Sequence, residues 1–418
     1  MLPSDVAGAD SETLRLRKKL GAAPLSRNGG RVMAVAQLLR SAVNLFTESR
    51  MLESRMLVWS PILAFVLATD PSQAVTEPKV TVSVDSSRKE LVITAGPFDL
   101  PNMPPMEDHS MMDLGMSHDT PIQRFEWPID GWLRGFELEL VDSRGKPVPR
   151  NVIHHMIIVN FSRRMLLYPA SERLMGAGTE TEDIKVPKTI GVPMKPGMKL
   201  GMYVAWHNDT GKDIHGVQMK LRMLWTPKNQ NPPPVNSLPI YMDVNLTVGG
   251  SNTFDVPPDK SEKAYEFILP VGGRLLGVGG HMHDYGVRVR LEDVETGKVL
   301  TVVEATRDSA GKVTKVSRRL FGVSGEGLKL KGNHRYRVVG EYDNPTGRTL
   351  VRGAMAHMAG LFSPDDMSKW PTIDESNPAY QRDMTALQAR GSGEGGHEHG
   401  GGDGDQSSHG EADAHTGH

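Results

Sequence analysis

The distribution of apolar and polar residues along the chain is typical of β structure. Between residues 75 and 368, apolar residues alternate with polar ones over short runs, and turn-forming residues separate these runs. Residues 131–149 and 215–225 show the alternation most clearly. No run in this part has the apolar period of a long helix. The pattern therefore predicts an all-β protein.

A proline-rich connector, residues 227–237, divides the predicted strands into two sets. Each set is large enough for an antiparallel sandwich. We therefore expect two consecutive jelly-roll β-sandwich domains, over residues 75–226 and 238–368. The apolar pattern ends after residue 368, and we expect a disordered Gly/His-rich tail over 369–418.

The N-terminal region has the features of a secretory leader. Within residues 51–74, Arg55 provides a positive end, residues 57–68 form an apolar core, and small residues follow as a cleavage site. A buried core helix is the alternative. Residues 1–50 are predicted to be a leader or an over-extended start, with translation beginning at Met51 or Met56. The apolar core is too short for a bilayer span, so we expect a periplasmic or secreted protein without a membrane span after processing.

The composition restricts the chemistry. The chain has no cysteine, which excludes disulfides, thiolate metal sites and cysteine nucleophiles. Its soft metal ligands are therefore 23 methionines and 15 histidines. The formal net charge of −2 gives no indication of binding to nucleic acid.

Several histidines stand at the ends of predicted strands. His281 and His283 are two residues apart, so on a strand both imidazoles face the same way and can reach one ion. His154 and His155 are adjacent, and they can share an ion only at a strand end or an irregularity. His207 lies at a strand-to-turn junction. The alternative is that these are core and surface histidines without a ligand role.

Two late methionines add a softer ligand type. Met355 and Met358 flank His357, although methionine in a strand is more often core packing. Taken with the histidines, the set divides into an all-imidazole group and an imidazole-plus-thioether group. Thioether sulfur favours Cu(I) and imidazole holds both copper states, so the set indicates a redox-active copper pair rather than zinc.

The order of the motifs HHM, WHNDTG, GGHMHDYG and GAMAHMAGLF resembles the copper type II, ascorbate-dependent monooxygenases. This family contains peptidylglycine α-hydroxylating monooxygenase and dopamine β-monooxygenase. The resemblance covers roughly residues 120–364. It implies two jelly-roll domains that each hold one copper across a solvent-filled cleft. It also implies that O2 and a reductant such as ascorbate hydroxylate a C–H bond, with one oxygen atom leaving as water.

The resemblance assigns ligands to both coppers. Three histidines would bind the electron-transfer copper, and two histidines with a methionine would bind the copper that meets oxygen and substrate. Carried over by position, these ligands are His154, His155 and His207 for the first copper and His281, His283 and Met355 for the second, with Met358 as the runner-up methionine. The second set would be the catalytic one.

The chain departs from the family at two substrate-binding positions. Gly279 stands where peptide-hydroxylating members have an arginine that binds the substrate carboxylate, and Ala359 stands where they have a tyrosine. The paired cysteines of the family are also missing. A glycine-extended peptide or a catecholamine is therefore unsupported, and the small-molecule or peptide substrate stays open.

Two further segments are rich in copper-binding side chains. Residues 102–119 are similar to the Met/His-rich segments of bacterial periplasmic copper-resistance proteins, with a flexible loop as the alternative. The accessory ligands predicted there are Met103, Met106, His109, Met111, Met112, Met116 and His118. The tail histidines are either copper ligands or solvated low complexity; they are His397, His399, His409, His415 and His418.

Three hypotheses follow from the sequence. The first is an exported dicopper monooxygenase, with O2, an unknown substrate and a copper chaperone or electron donor as partners. The second is a non-catalytic copper-binding, storage or resistance protein on the same scaffold. The third is a structural β-sandwich with incidental histidines. The separation of an all-histidine set from a His₂Met set favours the enzyme over the carrier.

Overall fold

The computed structural model describes residues 78–103, 118–322 and 326–390. These residues belong to one compact unit, Gln73–His418. Among them, no helix is long and apolar enough to cross a membrane.

Several predicted segments lie outside the described residues. They are the leader and signal sequence over residues 1–74, the central part of the Met/His-rich segment over 104–117, and the tail histidines over 391–418. Of the accessory ligands, only Met103 and the backbone of His118 fall inside the described part.

The strands that precede residue 237 form the N-terminal half. They are β1 (Lys79–Asp85), β2 (Glu90–Leu100), β3 (His118–Asp119), β4 (Gln123–Glu126), β5 (Gly131–Val141), β6 (Ile153–Arg164), β7 (Ser171–Gly178), β8 (Ile184–Lys185), β9 (Ile190–Met194), β10 (Lys199–Trp206), β11 (Ile214–Pro227) and β12 (Val235–Asn236). A 3₁₀ turn, Arg150–Val152, leads into β6.

Two sheets make up the N-terminal half. One has the order β1-β2-β11-β5-β9-β12, with β8 paired to β5, and the other has the order β3-β10-β6-β7, with β4 paired to β10. The rings of Phe98 on β2 and Trp206 on β10 lie 5.0 Å apart, so the sheets are in contact. β12 lies inside the predicted connector, where Val235 and Asn236 pair in parallel with β9 and extend the first sheet.

The strands that follow form the C-terminal half. They are β13 (Leu238–Asp243), β14 (Phe254–Val256), β15 (Asp259–Leu269), β16 (Gly273–Met282), β17 (Gly286–Asp293), β18 (Lys298–Arg307), β19 (Val313–Val316), β20 (Arg319–Leu320), β21 (Leu328–Leu330), β22 (His334–Asn344), β23 (Leu350–Ala354) and β24 (Ala356–Pro364).

The C-terminal half repeats the layered arrangement. One sheet has the order β13-β24-β16-β20, with β21 paired to β16, and another has the order β15-β22-β17-β18-β19, while β14 pairs with β23. A Cβ at Gly280 on β16 would lie 2.9 Å from Val303 Cγ2 on β18, so the two larger sheets pack closely at this point. Strands dominate both halves, and the all-β prediction is confirmed.

Part of the predicted disordered tail is ordered. After a 3₁₀ turn at Met367–Lys369, helix α1 spans Pro378–Gln388. The side chain of Asn377 accepts hydrogen bonds from the first backbone N–H groups of α1, and Pro378 occupies its first turn. The tail prediction therefore differs from the structure over residues 369–390, because a capped helix follows the last strand.

Helix α1 is held against the outer face of the N-terminal half. The buried carboxylate of Asp383 accepts a hydrogen bond from Ser171 N at 2.9 Å and forms an ion pair with Arg173. Leu387 packs with Val159 and Tyr203. This contact brings the end of α1 to the β6–β10 strand pair.

Candidate metal centre

A β-bulge brings the adjacent histidines of β6 to the same side. Ala205 of β10 pairs with His155, but the next residue, Trp206, pairs with Ile153, so His154 is the additional residue. The Nδ1 atoms of His154 and His155 are 2.8 Å apart, within hydrogen-bonding distance. This is the irregularity that two neighbouring histidines need in order to act on one ion.

His155 is held in the neutral form. Burial is the main reason that its pKa falls to about 3, and the charges of Arg390 and His281 lower it further. The ring centroids of His155 and Tyr203 lie 6.0 Å apart with the rings nearly perpendicular, and the Arg390 guanidinium lies 4.1 Å from the centre of the Tyr203 ring. Because metal ligation requires a neutral imidazole, His155 is ready to bind a metal at near-neutral pH.

His207 lies one strand across from this pair. Its backbone N–H donates to Val152 O at 2.9 Å, which fixes the end of β10 beside the start of β6. Its ring is buried, and neither ring nitrogen has a hydrogen-bond partner among the described residues. Burial lowers its pKa. A buried imidazole without partners is costly, so His207 is better suited to a ligand than to packing.

The two described ends of the Met/His-rich segment meet at the same strand end. Met103 N donates to Asn208 O at 2.6 Å, and His118 pairs with Trp206 in the β3–β10 ladder. The described residues on either side of 104–117 therefore lie beside His207.

The second group of histidines comes from the C-terminal half and depends on regular strand alternation. On β16, Gly280 and Met282 face the core, whereas His281 and the following His283 face the other way. His357 on β24 pairs directly with His281. The ring centroids of His281 and His283 are 5.2 Å apart, and those of His281 and His357 are also 5.2 Å apart.

A carboxylate from the N-terminal half holds His281. Glu180 lies in the turn after β7, and its Oε1 is 2.6 Å from His281 Nδ1. The turn is closed by Thr181, whose backbone N–H donates to Gly178 O and whose hydroxyl accepts from Gly178 N. A Cβ at Gly178 would lie 2.8 Å from Glu180 Oε2, so glycine leaves room for the carboxylate.

The two partners shift each other's pKa. Burial by itself would lower the pKa of His281, but the charge and hydrogen bond of Glu180 raise it above the usual value. Burial opposes ionisation of Glu180, yet His281 lowers the pKa of this carboxyl to about 2. Glu180 is therefore ionised and accepts the Nδ1 proton of His281.

His357 has an equivalent outer partner. Tyr241 donates its hydroxyl proton to Asp243 Oδ2 at 2.7 Å, and Tyr241 Oη lies 3.1 Å from His357 Nδ1. The Asp243 carboxylate is buried and also accepts from Asn252 Nδ2 and Asn245 N, each at 2.8 Å. Burial raises the pKa of Asp243 and lowers the pKa of His357 to about 3.

The two candidate methionines lie in different surroundings. The Met355 carbonyl accepts from His283 N at 3.2 Å and from the Tyr342 hydroxyl at 2.6 Å, so its backbone lies next to His283. Met358 is fully buried and pairs with Gly280 on the core side of the sheet. Met358 therefore faces away from the histidines, and Met355 is the methionine adjacent to them.

The two groups of histidines are contiguous. The ring centroids of His154 and His283 lie 6.5 Å apart across the boundary between the halves, rather than across the solvent-filled cleft implied by the resemblance. Within residues 78–103, 118–322 and 326–390, no three His, Asp or Glu side chains converge closely enough to hold one metal ion. The imidazoles of the described structure meet as pairs.

Other side chains lie near the two positions that differ from the family pattern. Arg318 Cγ lies 3.6 Å from where a Gly279 Cβ would stand, but its guanidinium donates to the carbonyls of residues 182 and 183 at 2.7 and 3.1 Å. Tyr241 pairs with Ala359 across the β13–β24 ladder. Arg318 thus ties the Glu180 turn to the C-terminal half.

Sequence reasoning missed the outer partners of these histidines. Glu180, Tyr241 and Asp243 have no motif of their own, and the sequence pattern marks His357 only as the residue between two methionines. A histidine directly opposite His281 on a paired strand is the signal that identifies His357. Recognising this signal requires knowing which strands pair.

Comparisons with known proteins identify no family. No family model matches the chain, and no curated protein matches it. Similar solved structures include "the STIV MCP" (TM-score 0.32, 10% identity, 63% of this chain and 97% of that one) and the Sulfolobus turreted icosahedral virus (0.28, 10%, 65% and 94%). The mavirus major capsid protein has a TM-score of 0.21 at 8% identity, covering 76% of this chain and 94% of that one. TM-scores this low establish neither a shared fold nor a shared function.

Proposed function

We propose that the protein is an exported dicopper monooxygenase that uses O2 and a reductant to hydroxylate a C–H bond. The observation that carries this proposal is the meeting of two histidine groups at the boundary between the halves, with the rings of His154 and His283 6.5 Å apart. Each half is taken to be a jelly-roll sandwich, because each stacks mostly antiparallel sheets in which many neighbouring strands are not consecutive in the chain.

The donor sets suit copper. His154, His155 and His207 would form an all-nitrogen set, and the buried nitrogens of His207, which have no partner among the described residues, favour a ligand there. The resemblance implies His281, His283 and Met355 as the second set, and the Met355 carbonyl accepts a hydrogen bond from the His283 backbone N–H. The low pKa of His155 keeps one of the imidazoles available to a metal at all ordinary pH values.

Bound copper would supply one-electron redox chemistry and activation of O2. The protein's own residues would orient the ligands and protect the site from water. Glu180 accepts the Nδ1 proton of His281, so that Nε2 carries the lone pair. His283 is buried and His155 is partly buried, which limits the access of water to both groups.

The test is copper loading followed by oxygen consumption. The full chain is loaded with Cu(I), treated with a competing chelator to remove weakly bound ions, and analysed for copper. We expect two retained coppers per chain and oxygen uptake that depends on both ascorbate and an added substrate. Two retained coppers without turnover on any substrate class would support the non-catalytic copper protein instead. Complete loss of copper to the chelator would contradict both.

A further inference from the structure

A line of aromatic rings runs from the second histidine group to the protein surface. The ring centroids of His357 on β24 and Tyr241 on β13 are 4.5 Å apart, and Tyr168 lies 6.3 Å beyond Tyr241. Tyr265 on β15 lies a further 6.3 Å from Tyr168 and is 38% exposed, so the line ends at solvent. We propose that Tyr241 is a redox-active tyrosine, and that Tyr168 and Tyr265 carry electrons between it and the surface.

The use of this tyrosine relay (Tyr241, Tyr168 and Tyr265) rests on the proposed function, whereas its redox chemistry is a property of the chain alone. A monooxygenase of the proposed kind takes electrons from a reductant such as ascorbate and forms strong oxidants from O2. The relay would pass an electron from a reductant at Tyr265 to a one-electron oxidant at the histidines.

The phenolic proton of Tyr241 has an acceptor within reach. Oxidation makes a phenol strongly acidic, so its proton leaves together with the electron. Tyr241 Oη donates to Asp243 Oδ2 at 2.7 Å, and a carboxylate can take the proton to which it is hydrogen-bonded. The hydroxyl of Tyr336 is instead hydrogen-bonded to the backbone of Lys331, whose groups are far too weakly basic to take a proton. The carboxylate therefore sets Tyr241 apart from Tyr336.

The oxidation step at Tyr241 is balanced. One electron passes from the Tyr241 ring to the oxidant, the bond between Oη and its hydrogen breaks, and the proton forms a bond with Asp243 Oδ2. The products are a neutral tyrosyl radical and a neutral carboxylic acid, so the oxidised pair carries no charge in its buried surroundings. An electron from a reductant at Tyr265 then reduces the radical, and the proton returns from Asp243 to Tyr241.

The surroundings of Tyr241 and Asp243 favour this proton transfer. Burial raises the pKa of Asp243, which makes its carboxylate a stronger base. Burial and the charge of Asp243 raise the pKa of Tyr241 well above its usual value, so the phenol keeps its proton until the ring is oxidised. Asn252 Nδ2 and Asn245 N also donate to Asp243 and hold the carboxylate in place.

Tyr168 connects Tyr241 to the exposed ring of Tyr265. Tyr168 is buried, and it belongs to an apolar cluster against which Tyr241 packs. Asp243 N donates to Tyr168 Oη at 3.0 Å, so a hydrogen bond through Asp243 also links the two tyrosines. Electron tunnelling weakens steeply with distance, and closely spaced rings joined by hydrogen bonds therefore provide a favourable route.

The experiment oxidises the copper-free full chain with a photogenerated ruthenium(III) polypyridyl complex, which is a soluble one-electron oxidant. Electron paramagnetic resonance of samples frozen after the flash detects tyrosyl radicals. Tyr241→Phe removes the phenolic proton and keeps the ring, and Tyr265→Phe removes the oxidisable phenol at the exposed end of the relay. Tyr336→Phe is the matched control, because Tyr336 is a buried tyrosine whose hydroxyl is bonded to the Lys331 backbone. Thermal unfolding establishes that each variant is folded.

We expect a neutral tyrosyl radical in the wild type and in Tyr336→Phe, its loss in Tyr241→Phe, and a reduced yield in Tyr265→Phe. The radical should form more slowly in D2O, because the Oη proton moves with the electron. The same radical signal in Tyr241→Phe as in the wild type would overturn the proposal, and an unchanged yield in Tyr265→Phe would overturn the route to the surface.

The test uses no copper, so it separates the relay from the proposed function. A radical at Tyr241 in a chain that retains no copper would uphold the relay while the dicopper proposal fails. A chain that retains two coppers but forms no radical at Tyr241 would remove the relay and leave the dicopper proposal intact.

Discussion

The two histidine groups reach similar spacing by different backbone devices. In the N-terminal half, adjacent residues His154 and His155 share a side only because a bulge interrupts the β6–β10 ladder. In the C-terminal half, His281 and His283 share a side because strand side chains alternate. His154 and His155 are hydrogen-bonded to each other, whereas His281 is hydrogen-bonded to Glu180 from the other half.

This difference suggests different tuning of the two proposed coppers. The rings of His154 and His155 are hydrogen-bonded to each other, and burial dominates the pKa of His155. The second group has ionised Glu180 beside His281 and buried Asp243 behind His357. A carboxylate partner makes an imidazole a stronger donor, so the second group should depend on its surroundings more than the first does.

The largest expected effect is at the bulge. His155→Ala should weaken the first copper by more than about 100-fold, because it removes a ligand rather than an outer partner, and should leave the second copper bound. Copper analysis after chelator treatment measures this, with His215→Ala as the control. If two coppers remain, the bulged pair is structural.

The next effect concerns the soft ligand. Met355→Ala should weaken Cu(I) at the second site more than Cu(II), because thioether sulfur favours the reduced ion, and the first copper should be unchanged. Met358→Leu is the matched control, since this methionine faces the core. Equal Cu(I) affinity in wild type and Met355→Ala would remove Met355 from the ligand set.

An intermediate effect is expected at the contact between the halves. Glu180→Gln should weaken the second copper by about 10–100-fold. Because Glu180 raises the pKa of His281, protons compete with copper in the wild type as the pH falls through that raised pKa. In Glu180→Gln this competition should begin at lower pH, since the raising charge is gone. Copper titrations across pH 5–8 measure the copper affinity and its pH dependence. Identical pH profiles for the wild type and Glu180→Gln would contradict the role of Glu180.

The smallest expected effect is on stability. His207→Leu removes two buried ring nitrogens that lack partners in the described structure, so the apo-protein should become more stable by about 1 kcal/mol. Stabilisation by added copper should decrease in the same variant. Urea unfolding with and without Cu(I) separates the two, and a loss of apo stability would indicate a packing role for this imidazole.

The two histidine groups also differ in how far the sequence predicts them. The alternating pattern was sufficient for the all-β class, and the shared face of His281 and His283 follows from strand geometry alone. The bulge at His154 depends on pairing with β10, which local sequence does not encode. Glu180 lies about a hundred positions before His281 in the chain, and a contact between such distant residues can be identified only from the tertiary structure.

The region after residue 368 shows a second limit of pattern reasoning. Helix α1 is short and weakly apolar, and its order depends on the Asp383 carboxylate reaching Arg173 and Ser171 on β7. The cap at Asn377 followed by Pro378 was a readable helix start. Without the docking surface, that signal alone does not predict a stable helix of this length.

The packing of helix α1 against the N-terminal half limits how far the protein can be truncated from its C-terminal side. A truncation that removes the histidine-rich extension should retain Arg390, because the Arg390 guanidinium lies over the Tyr203 ring next to His155. A cut before Asn377 would strip Leu387 from Val159 and Tyr203 and leave Arg173 without its carboxylate partner. Such a shortened protein would expose the apolar side chains of Val159 and Tyr203 and the unpaired guanidinium of Arg173. We therefore expect it to be less soluble, for reasons unrelated to copper.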